Sequence, residues 1–180
     1  MKDKKIYVDY NSSKEAYLNY IREHKENVKK CWNKLQIDFV NFPFVKDKYI
    51  NYYITNLIDK HDNSKYDDVE FEPYRKYFYP TKDEIDEAII QSEYDNAWIH
   101  HYSNNPHHWE YWLEFDKNKE RECLRFIREA FIVERICDWM AMSLYNNGST
   151  IEWYNNNKDT MYLPDNDKIY LENILYNIKE

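Results

Sequence analysis

Glycine is nearly missing from this chain: 180 residues contain one, Gly148. That excludes a glycine-rich phosphate loop and argues against a sheet built on tight hairpins, whose turns favour glycine at positive φ. Cysteine is scarce as well. Cys31, Cys123 and Cys137 fall in otherwise helical patterns without CxxC spacing. They read as reduced core residues of a cytoplasmic protein, not as metal ligands. An excess of positive charge is also lacking, since the formal net charge is −8. Binding to a nucleic-acid polymer needs a basic footprint, so that partner is disfavoured. A small phosphorylated substrate is not excluded, because a bound cation reverses the local potential. No apolar run approaches a membrane span, and the basic start MKDKKIYVDY is not followed by one. The expectation is therefore no signal peptide, no membrane partner and a cytoplasmic location.

Aromatic residues, by contrast, are abundant, with 19 Tyr, 8 Phe and 6 Trp in a chain that is 43% hydrophobic. A chain of this size and composition can bury a core without staples, and reads as one domain over residues 1–180. Apolar residues recur at three and four positions, the period of helices packed on one face. The first helix is expected over Ser12–Leu35, with Ser12 and Glu15 at capping-box spacing. Pro43 interrupts, and a second helix is expected over Asp47–Lys60 with Tyr49, Ile50, Tyr53, Ile54, Leu57 and Ile58 inward. HDNSKYDD reads as a turn, and EFEPYRKYFYP as a short helix with Pro73 in its first turn. A further helix is expected from Thr81, paired with Glu84, to the SNNP break, with Ile85, Ala88, Ile89, Ala97, Trp98 and His101 inward. The strongest pattern covers Lys117–Tyr145, ended by Gly148; after a short turn at IEWY, a last helix covers Asp167–Ile178. The fold class expected is all-α, with a helical core over about residues 12–146.

All six histidines fall at suggestive places. His24 and His61 extend apolar helix faces, His100 and His101 end another, and His107 and His108 follow closely. Asp62 adjoins His61, and Asp138 interrupts the most apolar face of the long helix. An ionised aspartate on a buried face is costly unless a cation or strong hydrogen bonds balance it. Arg128 and Arg135 are alternative partners for Asp138, and a turn cap is the plainer reading of Asp62. Imidazole and carboxylate together suit a divalent transition metal (Mn, Fe, Co, Zn or Ni), and Mg is also compatible.

The order His24, His61-Asp62, Asp138 resembles the H…HD…D pattern of HD-domain metal-dependent phosphohydrolases. The resemblance implies a compact HD-like helical bundle in which these four side chains bind a divalent cation. Many members carry a lysine three residues after the paired aspartate, the place of Lys65, which would contact phosphate as a point charge. Members with two ions insert histidines between the HD pair and the late aspartate, in the order of His101, His107 and His108 here. His101 continues the face of Ala97 and Trp98 better than His100. The GYP segment of cyclic-di-GMP enzymes is absent. HDNSK, EFEPY, AWIHH and NPHHWEYW also resemble an uncharacterised family from bacteria and their phages, along nearly the whole chain.

The reading that follows is hydrolysis of a phosphate ester, of the nucleotide or signalling-nucleotide class. His24, His61, Asp62 and Asp138 would hold the primary ion and Lys65 would stabilise phosphoryl charge. His107 or His108 would either bind a second ion or protonate the leaving group, roles one nitrogen cannot combine. Trp109, Tyr111 and Trp112 could stack a base, and Arg75 and Lys76 could contact phosphate; core packing and a solvated helix face are the plainer readings. Two other function classes fit the same residues. One is a di-iron oxygenase or oxidase; the other is a noncatalytic, metal-stabilised interaction protein of phage or mobile-element origin.

Overall fold

In the computed structural model, residues 9–118 and 123–179 are described. The start MKDKKIYV, and residues 119–122 of the helix expected over Lys117–Tyr145, lie outside them. The described residues form nine α-helices and two short 3-10 turns, with no strand. The helices are α1 (Tyr10–Asp38), α2 (Pro43–Lys46), α3 (Lys48–Lys60), α4 (Asp68–Phe78) and α5 (Glu87–Asn104), then α6 (Trp109–Asn118), α7 (Arg125–Asn146), α8 (Thr150–Asn157) and α9 (Asp165–Leu175). None is long and apolar enough to cross a membrane. The class is all-α.

The chain divides into two compact units, one of Met1–Glu23 with Asp62–Asn104 and one of His24–His61 with Asn105–Glu180. In the first, α4 packs along α5, and Tyr17, Ile21, Phe71, Tyr74 and Ala97 form the core. Arg75 ties this unit together. It is 1% exposed, ion-pairs with Glu84 and Glu72, and donates to Ser13 Oγ at 2.9 Å. In the second, α3 and α9 pack on α7 around a core that includes Trp32, Leu35, Ile54, Ile58, Ile136 and Leu171. Cys31 and Cys137 are buried in that core; Cys123 is half-buried and precedes α7 instead of lying in a helix.

Several local expectations are corrected. Asp9, not Ser12, caps α1: its carboxylate accepts from Asn11 N, Ser12 N and the Ser12 hydroxyl. Asp86 caps α5 by accepting from Ala88 N and Ile89 N, so Thr81 and Glu84 pair in the turn before that helix. Tyr49, Ile85 and Ile89, at 74%, 72% and 56%, and Ala88 are exposed instead of facing inward. Helix α4 begins at Asp68, which leaves Pro73 inside the helix. Lys117 belongs to α6, and Leu124 is extended as the first residue before α7. Asn147, not Gly148, takes the left-handed position after α7, with φ 52°. The amide of Gly148 then donates to Ser143 O at 2.9 Å, which satisfies a last-turn carbonyl. IEWY lies in a helix, α8, capped by the Ser149 hydroxyl.

Candidate metal centre

The long α1 brings His24 into the second unit, the C-terminal end of α3 brings His61, and α7 brings Asp138. His24 and His61 are 4% and 1% exposed. His24 Nε2 lies 3.1 Å from Asp138 Oδ1, His61 Nε2 lies 3.6 Å from the same oxygen, and the two Nε2 atoms are 3.3 Å apart. Metal–ligand bonds of about 2.1 Å put neighbouring donors about 3.0 Å apart in an octahedron and about 3.4 Å apart in a tetrahedron. The triangle therefore has the edge lengths of three ligands on one face of a cation, and these residues form a group able to hold one. Two imidazoles and a carboxylate suit a transition metal.

Burial alone would raise the Asp138 carboxyl; hydrogen bonds and charge from His24 and His61 outweigh it and hold the group well below the usual carboxylate range. The arginines considered as its partners are engaged elsewhere. Arg128 forms bidentate bonds to Asp116 and a further one to Asp167. Arg135 is 3% exposed and its Nε donates to His107 O at 2.5 Å. Burial pulls that guanidinium down to about 10.

Glu134, one turn before Asp138 on α7, is the residue that pattern reading left without a role. Its Oε1 lies 2.9 Å from His61 Nδ1 and 3.5 Å from His107 Nδ1. Burial raises this carboxyl, but the charge and hydrogen bonds of His107 and His61 outweigh it and lower it to about 2. The rings of His61 and His107 are 4.4 Å apart, and those of His107 and His108 are 4.3 Å apart. The signal available in sequence was an acid four residues before Asp138, hence on the same helix face.

A second cluster lies in the first unit. Asp62 begins the turn after α3 with a left-handed backbone, φ 55°, which aspartate tolerates better than most residues. Its Oδ2 accepts from Lys65 Nζ at 2.5 Å, and its Oδ1 lies 3.4 Å from His101 Nε2. His101 is 1% exposed and its Nδ1 meets Glu70 Oε2 at 2.8 Å, whereas the His100 side chain is 37% exposed and meets Glu70 Oε1. Ser64 Oγ also donates to Glu70, at 3.0 Å. Burial would lower the His101 imidazole; its bonds to Asp62 and Glu70 outweigh that and raise it. Glu70 was visible as the first acid of EFEPY, but nothing in the sequence assigned it to histidines.

The other residues singled out in the sequence have structural partners. Arg75 is held by Glu84, Glu72 and Ser13, and Lys76 by Glu93, so neither is displayed as a phosphate contact. Trp112 is 4% exposed, donates Nε1 to Pro106 O and lies under the Arg128 guanidinium. Tyr111 stacks on Phe115. Neither a curated protein nor a solved structure matches the chain. Residues 13–177, nearly the whole of it, match the Family of unknown function (DUF5662), and the chain belongs to that family.

Proposed function

We propose that this protein is a divalent-metal-dependent phosphohydrolase of the HD type, acting on a phosphate ester of the nucleotide class. The observation that carries the proposal is the triangle of His24 Nε2, His61 Nε2 and Asp138 Oδ1, with edges of 3.1, 3.3 and 3.6 Å. Three protein ligands on one side of a cation leave positions for water and substrate, the hallmark of a catalytic ion. A divalent ion held there would supply Lewis acidity toward a phosphoryl oxygen and a water that ionises near neutral pH.

The chain's own residues have separable tasks in this reading. His24, His61 and Asp138 hold the ion; Asp62 enters through the sequence pattern, as the residue bonded to His61. Lys65, resting on Asp62 at 2.5 Å, would supply a positive charge for phosphoryl oxygens. His107 or His108 would either bind a second ion or protonate the leaving group, roles one nitrogen cannot combine.

The test is hydrolysis by the purified chain, supplied in turn with Mn2+, Co2+, Zn2+ or Fe2+, of aryl phosphate mono- and diesters and of nucleotides. Turnover with a redox-inert ion, lost on chelation and in Asp138→Asn, is the expected result. A strict requirement for iron and dioxygen would favour the oxidase instead. Saturable metal binding with no turnover across the panel would favour the metal-stabilised interaction protein. A chain that binds none of these ions would overturn the metal reading altogether.

A further inference from the structure

Two buried glutamates do the same thing in different parts of the chain. In the second unit, Glu134 Oε1 meets His61 Nδ1 at 2.9 Å, while His61 Nε2 faces Asp138 Oδ1 at 3.6 Å. In the first, Glu70 Oε2 meets His101 Nδ1 at 2.8 Å, while His101 Nε2 faces Asp62 Oδ1 at 3.4 Å. Both glutamates are buried, at 4% and 0% exposure, and so are both histidines, at 1%. Each unit therefore contains the sequence glutamate, Nδ1, imidazole, Nε2, aspartate.

We infer that Glu134 and Glu70 are positioning residues that set the tautomers of His61 and His101, so that each presents an Nε2 lone pair to a metal ion beside its aspartate. An ionised carboxylate can only accept a hydrogen bond, so the proton must sit on Nδ1. The neutral ring is then left with its lone pair at Nε2, the atom that faces the aspartate. A carboxylate behind a ligating imidazole also raises its basicity and fixes its plane, and loss of such a partner costs about 10–100-fold in metal affinity. Glu134 serves two rings, because His107 Nδ1 approaches the same oxygen at 3.5 Å. Glu70 likewise holds His100, at 2.8 Å, which accounts for the first acid in EFEPY.

This inference rests on the metal-centre reading above, and the experiment separates the two. Two-bond proton–nitrogen correlation spectra of the unmutated, metal-free chain should show His61 and His101 protonated at Nδ1. Cobalt(II) titrations of Glu134→Gln and Glu70→Gln, followed by calorimetry and by the visible absorption bands, should show affinity lower by about 10–100-fold with altered bands. Aspartate at either position, which restores the charge, should recover part of the loss. An Nδ1 without its proton on His61 or His101, or unchanged affinity and bands in both Gln variants, would overturn the inference while leaving the metal centre standing. Absence of cobalt binding by the unmutated chain would overturn both. Should a Gln variant fail to fold, the tautomers of the unmutated chain decide.

Discussion

At the scale of single residues, the chain places ionisable groups where each must be matched by another. Asp138 lies on a helix that buries Ile132, Val133, Ile136, Cys137 and Met140, and His24 and His61 compensate its charge. Asp138→Asn keeps the size of the side chain and removes the charge that a cation needs. Cobalt affinity should fall by more than the ~10–100-fold expected for loss of an outer partner, with the far-ultraviolet circular dichroism retained. Calorimetric titration of the variant checks it; wild-type affinity would show that Asp138 is not a ligand.

At the scale of elements, ends and ties decide stability. Asn147 stops α7 in a left-handed conformation, exposed to solvent. Asn147→Val should cost ~1–2 kcal/mol, and Asn147→Gly should be neutral or slightly stabilising, in urea unfolding. Helix α4 is tied to the turn before α5 through Arg75 and Glu84. The hydrogen bond from Arg75 is the main reason the Glu84 carboxyl falls from 4.5 to about 2. A carboxyl depressed in the folded state stabilises above its unfolded value and loses that contribution as pH falls through the folded one. This tie is thus fully present above pH 4.5 and is lost toward pH 2. The advantage of the native chain over Glu84→Gln, on the order of 1 kcal/mol once solvent screening of this partly exposed pair is discounted, should shrink across that window. Urea unfolding of both proteins at several pH values measures it, and a pH-independent difference would contradict the assignment.

At the scale of the whole molecule, metal and folding are linked. A cation that binds only the folded chain stabilises it by ~2.7 kcal/mol at about 100 times its dissociation constant. For a chain of this length that is a rise in Tm of roughly 5–10 °C. Differential scanning with Mn2+, Co2+ and Zn2+ should show the rise, its reversal by chelator, and its absence in Asp138→Asn. A net charge of −8 would also bind cations loosely at the surface, but such binding would persist in the variant.

Residue periodicity determined the all-α class and most of the helices, because an apolar stripe at three and four positions has only one regular backbone that buries it. It also determined which histidines and aspartates to examine, since a charge on an apolar face is conspicuous in one dimension. Helix ends were misread at Ser12, Thr81 and Gly148, where a neighbouring residue, Asp9, Asp86 or Asn147, had the better geometry for the same role. Inward faces were misread at Tyr49, Ile85 and Ile89, because exposure depends on what is packed opposite. Only the tertiary structure decided that Arg75 is held by Glu84, and that Glu134 and Glu70 stand behind His61 and His101. Those partners lie between 9 and 73 residues apart, and a hydrogen bond of 2.9 Å is set by how helices pack, which spacing along a chain does not encode.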